Sequence, residues 1–173
     1  MMKRVILPLL LTLCFYCESV FVEFTPPGTF KMDILLVPHF LLVLLIVMGL
    51  FYLRNRTLIY AAIFGLLFDI YYTEIIGVYL FLLPITVYLA SKMARVIQAN
   101  VFTTFFISLL CVGMVEFVVY GMNVFVLQRS MDIQEFLNRR LWPTLIVNQI
   151  FFLIIYFPFK KVLSQRKRIE MHE

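Results

Sequence analysis

No lysine or arginine interrupts any of the six long apolar runs of this chain, and charged residues make up only 14% of its 173 positions. With 63% hydrophobic residues and a mean hydropathy of +0.97, there is too little polar surface to cover a water-soluble fold of this size. Cysteine is equally sparse. Cys14, Cys17 and Cys111 are an odd number and define no disulfide framework. The C-x-x-C at 14–17 sits in an apolar stretch, without the polar access and further ligands that a redox or metal site needs. Six glycines and two histidines compose no glycine-rich phosphate loop, no nucleophile elbow and no histidine beside a nucleophile. The paired acids or Ser and His dyad of an intramembrane protease or lipid transferase are missing too. These absences point to a non-enzyme without cofactor or metal.

What is present is apolar length. A helix rising 1.5 Å per residue needs roughly 20 apolar residues to cross about 30 Å of hydrocarbon. The candidate helices are 5–24, 34–53, 57–72, 75–91, 101–127 and 141–159, joined by short connectors and followed by a basic tail at 160–173. The expected architecture is all-α: one polytopic transmembrane domain over 1–173, six helices in a compact bundle. Lys3 and Arg4 precede the first run as in a signal peptide, but the run is too long and no small-residue cleavage site closes it.

Charge decides between a hairpin and one long helix across 57–91. With a hairpin, eleven of the fifteen basic residues share one side and only Lys31, Arg129, Arg139 and Arg140 lie on the other. One long helix would split them seven to eight, with no bias. The hairpin reading places both termini in the cytoplasm. A re-entrant hairpin that stops short of the far face gives the same charge count.

Ionisable groups inside a membrane mark the bundle interior or a function. Glu18, Asp69 and Glu116 are such groups, and His39 is the only basic side chain within the runs to meet them. Either the acids are protonated or a partner completes them. Helix rise places Asp69 about 18 Å and Glu18 about 20 Å from the cytoplasmic end, and His39 and Asn148 near the outer ends of their helices. Gly65, one turn before Asp69, lets a neighbouring backbone approach. Two stripes at helical spacing are candidate inward faces: Gly77, Phe81, Pro84, Tyr88 and Ser91, and Gly113, Glu116, Tyr120 and Asn123. Interhelical hydrogen bonding explains these residues as well as a cavity or partner groove does. A metal at His39 with Asp69 and Glu18 has no spacing to support it.

The connector 128–140 carries Met131, Ile133, Phe136 and Leu137 among charges, with Asp132 and Glu135 spaced as an N-cap pair, and reads as a short interfacial helix. Trp142 beside it suits the aromatic belt. In the tail, Lys160, Lys161, Arg166, Lys167 and Arg168 suit attraction to an anionic leaflet, a lipid anchor. Nothing further suggests nucleic-acid binding.

Pro38 leading an apolar helix, Gly65-Leu66-Leu67-Phe68-Asp69, Gly77 eight residues on, Tyr88, and Leu141-Trp142-Pro143 opening the last helix resemble the MreD family of rod shape-determining proteins. The likeness covers essentially the whole chain and is strongest over 61–90. It implies a non-enzymatic member of the bacterial elongation machinery in the cytoplasmic membrane. Its implied partners are a bitopic MreC-like protein, the actin-like MreB, and the glycosyltransferase and transpeptidase of lateral-wall peptidoglycan. Asp69, Gly65 and Gly77 are the family-matching positions, expected to face a partner or define the bundle together with Glu18, Glu116, Pro38, His39, Tyr88, Trp142 and Pro143. The alternative is the substrate-binding component of an energy-coupling-factor vitamin transporter, which has a similar six-helix architecture. Such components dock through early A-x-x-x-A motifs, and the only match here is Ala90 to Ala94. A channel or antiporter would need internal cations that the runs do not supply.

Overall fold

The computed structural model describes residues 2–25, 34–73, 75–126, 128 and 132–171, with the side chains of 2–5 and 171 left aside. Pro26, Pro27, Gly28, Lys31, Glu74, Arg129, Met131 and His172 lie outside the described residues, as do the side chains of Lys3 and Arg4. Among the described residues all regular structure is helical. The elements are α1 (Met2–Phe24), α2 (Phe40–Phe51), α3 (Arg54–Tyr72), α4 (Val78–Val96), α5 (Val101–Phe125), the one-turn α6 (Ile133–Glu135) and α7 (Trp142–Met171). A π-helical turn, Phe136–Leu141, joins α6 to α7 without a break.

Among the described residues, four stretches are long and apolar enough to cross a membrane: Ile6–Phe24, Val78–Val96, Val101–Phe125 and Ile133–Glu170. α3 has crossing length, but Arg54, Asn55 and Arg56 dilute its first turn. α2 is short, at 12 residues, or about 18 Å of helix.

Several boundaries differ from the sequence expectation, each for a local reason. The second run does not begin its helix at Ile34. Residues 34–39 form no helix, because Pro38 disfavours helical geometry in the residue before it and has no N–H to give. The connector before the last helix is no separate interfacial helix. Asp132 accepts from the Gln134 backbone N–H at 3.2 Å and so caps the start, after which the chain winds directly into α7. The last helix does not stop at Phe159 but continues to Met171, so the basic tail is helical.

The chain forms two compact units. The first comprises Met1–Leu41 and Leu109–Phe151. Here α1 buries Leu7, Leu11, Cys14, Phe15 and Glu18, positions three and four apart that share one helix face. Leu9, Leu13, Tyr16, Val20 and Phe24 are exposed on the other. Phe40 stacks on Phe151 at 4.4 Å and meets Phe21 edge-on, and Tyr120 stacks on Phe136 at 4.3 Å.

The second unit comprises Leu42–Ser108 and Phe152–Glu173. Every residue from Leu42 to Met48 is buried, as an apolar helix without a polar face requires. α3 and α4 form an antiparallel hairpin whose turn is made at Gly77, φ +114°, a conformation that side-chain-bearing residues adopt at a cost. The Ser91 hydroxyl donates to the Gly49 carbonyl at 3.1 Å, tying α4 to α2. The end of α7 packs here too. Arg56 pairs with Glu170 at 2.8 Å, the Tyr52 hydroxyl donates to the same carboxylate, and the Lys160 ammonium lies 4.5 Å from the Phe51 ring.

Candidate functional site

Two buried polar centres organise the molecule, one in each unit. In the first, an extended segment is fastened along the start of α7. Pro143 has no N–H, so the Arg139 carbonyl, four residues earlier, has no α-helical donor. The Leu35 N–H takes its place at 2.8 Å. Two residues on, the Val37 N–H donates to the Thr144 hydroxyl at 3.2 Å, and the His39 N–H donates to Asn148 Oδ1 at 2.7 Å. The Asn148 amide returns bonds to the carbonyls of Val37 and Thr144. Alternate N–H groups of 35, 37 and 39 thus meet acceptors along α7, as the two-residue period of extended chain allows. Pro38 falls between them, where no donor is needed. Non-helical backbone at membrane depth is tolerated only where protein satisfies it, and these bonds do so.

Helix α2 then starts with orphan N–H groups. The Glu18 carboxylate of α1, itself buried, accepts from the Leu41 N–H at 3.2 Å, an acid set at the positive end of the helix dipole. Below it, Glu116 has no exposure and uses both oxygens: Oε1 contacts His39 Nε2 at 2.6 Å and Oε2 accepts from Arg140 Nε at 2.7 Å. The sequence offers only His39 as a base within the runs for the three acids; Glu116 takes Arg140 as well. Arg140 lies outside the apolar run, yet the π-helical turn carries its guanidinium inward. The next residue before it, Arg139, pairs instead with Glu135 at the surface, at 2.7 Å. A π-helical turn often marks a functional position.

In the second unit, Asp69 is 1% exposed. Its carboxylate accepts from the backbone N–H groups of Gly77 (2.9 Å), Tyr79 (2.8 Å) and Leu80 (2.9 Å) and from the Thr73 hydroxyl (3.3 Å). It therefore caps the N-terminus of α4 from across the turn, taking N–H groups that the helix leaves unpaired. Gly65, one turn earlier, admits the α4 backbone. A Cβ there would stand 2.3 Å from the Tyr79 carbonyl oxygen.

This arrangement fixes which face of α4 is buried. Tyr79, Leu82, Leu83, Thr86, Val87, Ala90, Ser91 and Ala94 are inside, whereas Phe81 and Tyr88 of the expected stripe are exposed, at 66% and 42%. Tyr88 carries the Arg54 guanidinium over its ring at 4.2 Å. On α5, Glu116 is inward as expected and Tyr120 packs on Phe136. Asn123 bonds back to its own helix at Val119, and a Cβ on Gly113 would meet nothing within 4 Å.

Of the remaining expected residues, Pro38 and His39 are buried, Pro143 is half-buried and Trp142 is exposed. In the tail Arg166 is buried and Lys161 and Arg168 are exposed. Among the described residues no cluster of three or more His, Cys, Asp or Glu could hold a metal. The residues that sequence reasoning missed are Arg140 and Thr144, together with the carbonyl-freeing role of Pro143. The signal for the last was visible in the Trp-Pro that opens the helix.

Comparison with known proteins adds an independent finding. A family model described as rod shape-determining protein MreD matches residues 3–166. The rod shape-determining protein MreD of Bacillus subtilis (strain 168) is 35% identical over 167 residues, covering 96% of this chain and 97% of that protein. No solved structure matches.

Proposed function

Because this chain belongs to the MreD family of rod shape-determining proteins, we propose that it is a non-enzymatic membrane scaffold of the bacterial elongation machinery. In this reading it crosses the cytoplasmic membrane six times with both termini inside and binds the transmembrane helix and adjoining outer segment of an MreC-like protein. It thereby helps couple MreB-type filaments to the glycosyltransferase and transpeptidase that build lateral wall. The observation that carries the reading is the family match across nearly the whole chain. Nothing in the comparisons supports the vitamin-transporter alternative.

The geometry narrows where a partner would sit. The carboxylates of Asp69 and Glu18 are buried and bonded to backbone, so they act on a partner only through the surfaces they hold in shape. The start of α7 is different. Arg140 is anchored on Glu116 and the Arg139 carbonyl on Leu35, which together hold this turn firmly. Ile133, 55% exposed, and Trp142, 59% exposed, flank the exposed Glu135–Arg139 pair. An apolar rim around a fixed ion pair suits a docking surface for a mixed polar and apolar partner segment.

The test is a photoreactive amino acid at Ile133 in the full chain, expressed in its own bacterium, with crosslinked products identified by mass spectrometry. The expected product is an MreC-like bitopic protein joined through its outer segment. A transmembrane coupling subunit accompanied by paired ATPases would overturn the scaffold reading. Equal capture of the MreC-like protein from a probe at Phe102, exposed on α5, would remove the docking surface from this turn.

A further inference from the structure

The distal part of α7 bears a groove of about 400 Å³ lined by Phe157, Lys160, Lys161, Ser164, Gln165 and Arg168. These positions recur at three- and four-residue spacing and so form one face of a single helix. The groove continues an apolar stripe. Leu153, Ile154 and Phe157 are exposed at 53%, 69% and 65%, as lipid-facing side chains are. Beyond Phe157 the same face turns to Lys161, Ser164, Gln165 and Arg168, all exposed. Lys161 lies about 6 Å and Ser164 about 10 Å along the helix from that last ring, within the reach of a lipid headgroup whose chains lie on the apolar stripe.

Charge in the groove has one sign. Among the described residues, Lys160, Lys161 and Arg168 line it with no acid. The nearest acid in sequence, Glu170, is taken up by Arg56 and Tyr52. Lys160 rests its ammonium against Phe51 and Tyr156 and donates one hydrogen bond, to the Tyr156 hydroxyl, which leaves two of its three donors. The Gln165 amide adds neutral donors beside these charges, whereas the Ser164 hydroxyl donates to the Lys160 carbonyl at 2.8 Å.

We propose that this groove is a binding site for the phosphate headgroup of an anionic phospholipid, whose acyl chains run along Leu153, Ile154 and Phe157. The cations and the Gln165 amide supply the donors that a phosphodiester accepts, and the apolar stripe distinguishes a lipid from a free anion. This is a defined site, and it differs from a diffuse attraction of the basic tail to the membrane surface.

The experiment uses the full chain in vesicles with W142F and F157W, which moves the only tryptophan to the mouth of the groove. Quenching by brominated phosphatidylglycerol is compared with quenching by brominated phosphatidylcholine. The expected result is a preference for phosphatidylglycerol of about fivefold or more. It should fall to near unity in K161A/R168A and again in S164E, which removes no cation. K92A/R95A removes the same charge from exposed positions on α4 and should keep the preference. Equal quenching by both lipids in the parent would overturn the proposal. So would loss of the preference in K92A/R95A, which would mean diffuse charge only, or displacement of the lipid by millimolar inorganic phosphate, which would mean a free-anion site.

Discussion

Glu116 is the residue on which most of the first unit's polar chemistry turns. A carboxylate with no exposure is tolerated because two bases meet it, one from the extended segment and one from the π-helical turn. Removing one member of such a buried set leaves charge uncompensated and costs about 3–5 kcal/mol. Glu116→Gln should therefore lower the unfolding temperature in detergent markedly, and so should Arg140→Gln. The double variant should lose clearly less than the sum, because the second substitution removes a charge that the first has already stranded. Strict additivity in that cycle would mean that the pair is not coupled. His39 is legible as a buried polar residue, whereas Arg140, the other partner of Glu116, is not. A contact between residues 24 positions apart has no periodic signature, and a basic residue just outside an apolar run is ordinarily counted as solvent-facing.

At the scale of elements, the α3–α4 hairpin shows how little of the chain sets a helix pairing. Asp69 supplies the acceptors, Gly77 the turn, and Gly65 the space. An alanine at Gly65 must push against the Tyr79 backbone, an overpacking that costs about 1–3 kcal/mol. Gly113 lies in the interior of α5 with open space around it, so alanine there gains helix propensity, up to about 1 kcal/mol. Thermal unfolding of Gly65→Ala and Gly113→Ala should thus shift in opposite directions, and a matched loss in both would refute the close-approach account. The hairpin itself is readable from charge balance. The facing side of α4 is not, because a stripe of Gly77, Phe81 and Tyr88 has the same helical period as the stripe that is buried. Only the bonds from Asp69 to the α4 backbone select between them. The start of α2 differs from the sequence expectation for a related reason. Apolar residues at 34–39 look the same in extended and helical chain, and Pro38 was the one local sign of the difference.

For the whole molecule, the number of crossings rests on whether the α3–α4 hairpin reaches the far face. Both helices have 19 residues, or about 28 Å of rise, close to the roughly 30 Å of hydrocarbon. A hairpin of that length that starts at one face has no slack to stop at mid-membrane unless it tilts steeply. The basic residues fix only the two ends: the eleven-to-four split needs both Arg54 with Arg56 and Lys92 with Arg95 on one side, which holds whether or not the turn reaches the far face. Ile76, 71% exposed in the turn, is the position to probe. In a background where Cys14, Cys17 and Cys111 are replaced, Ile76→Cys should react with an impermeant thiol reagent added to intact cells. A cysteine placed at Lys92 should react only after permeabilisation. If Ile76→Cys also needs permeabilisation, the hairpin is re-entrant and the chain crosses four times in place of six. Both ends of the hairpin then still lie on the cytoplasmic side, so the charge balance survives, but the Asp69 cap would sit within the hydrocarbon rather than near its outer edge.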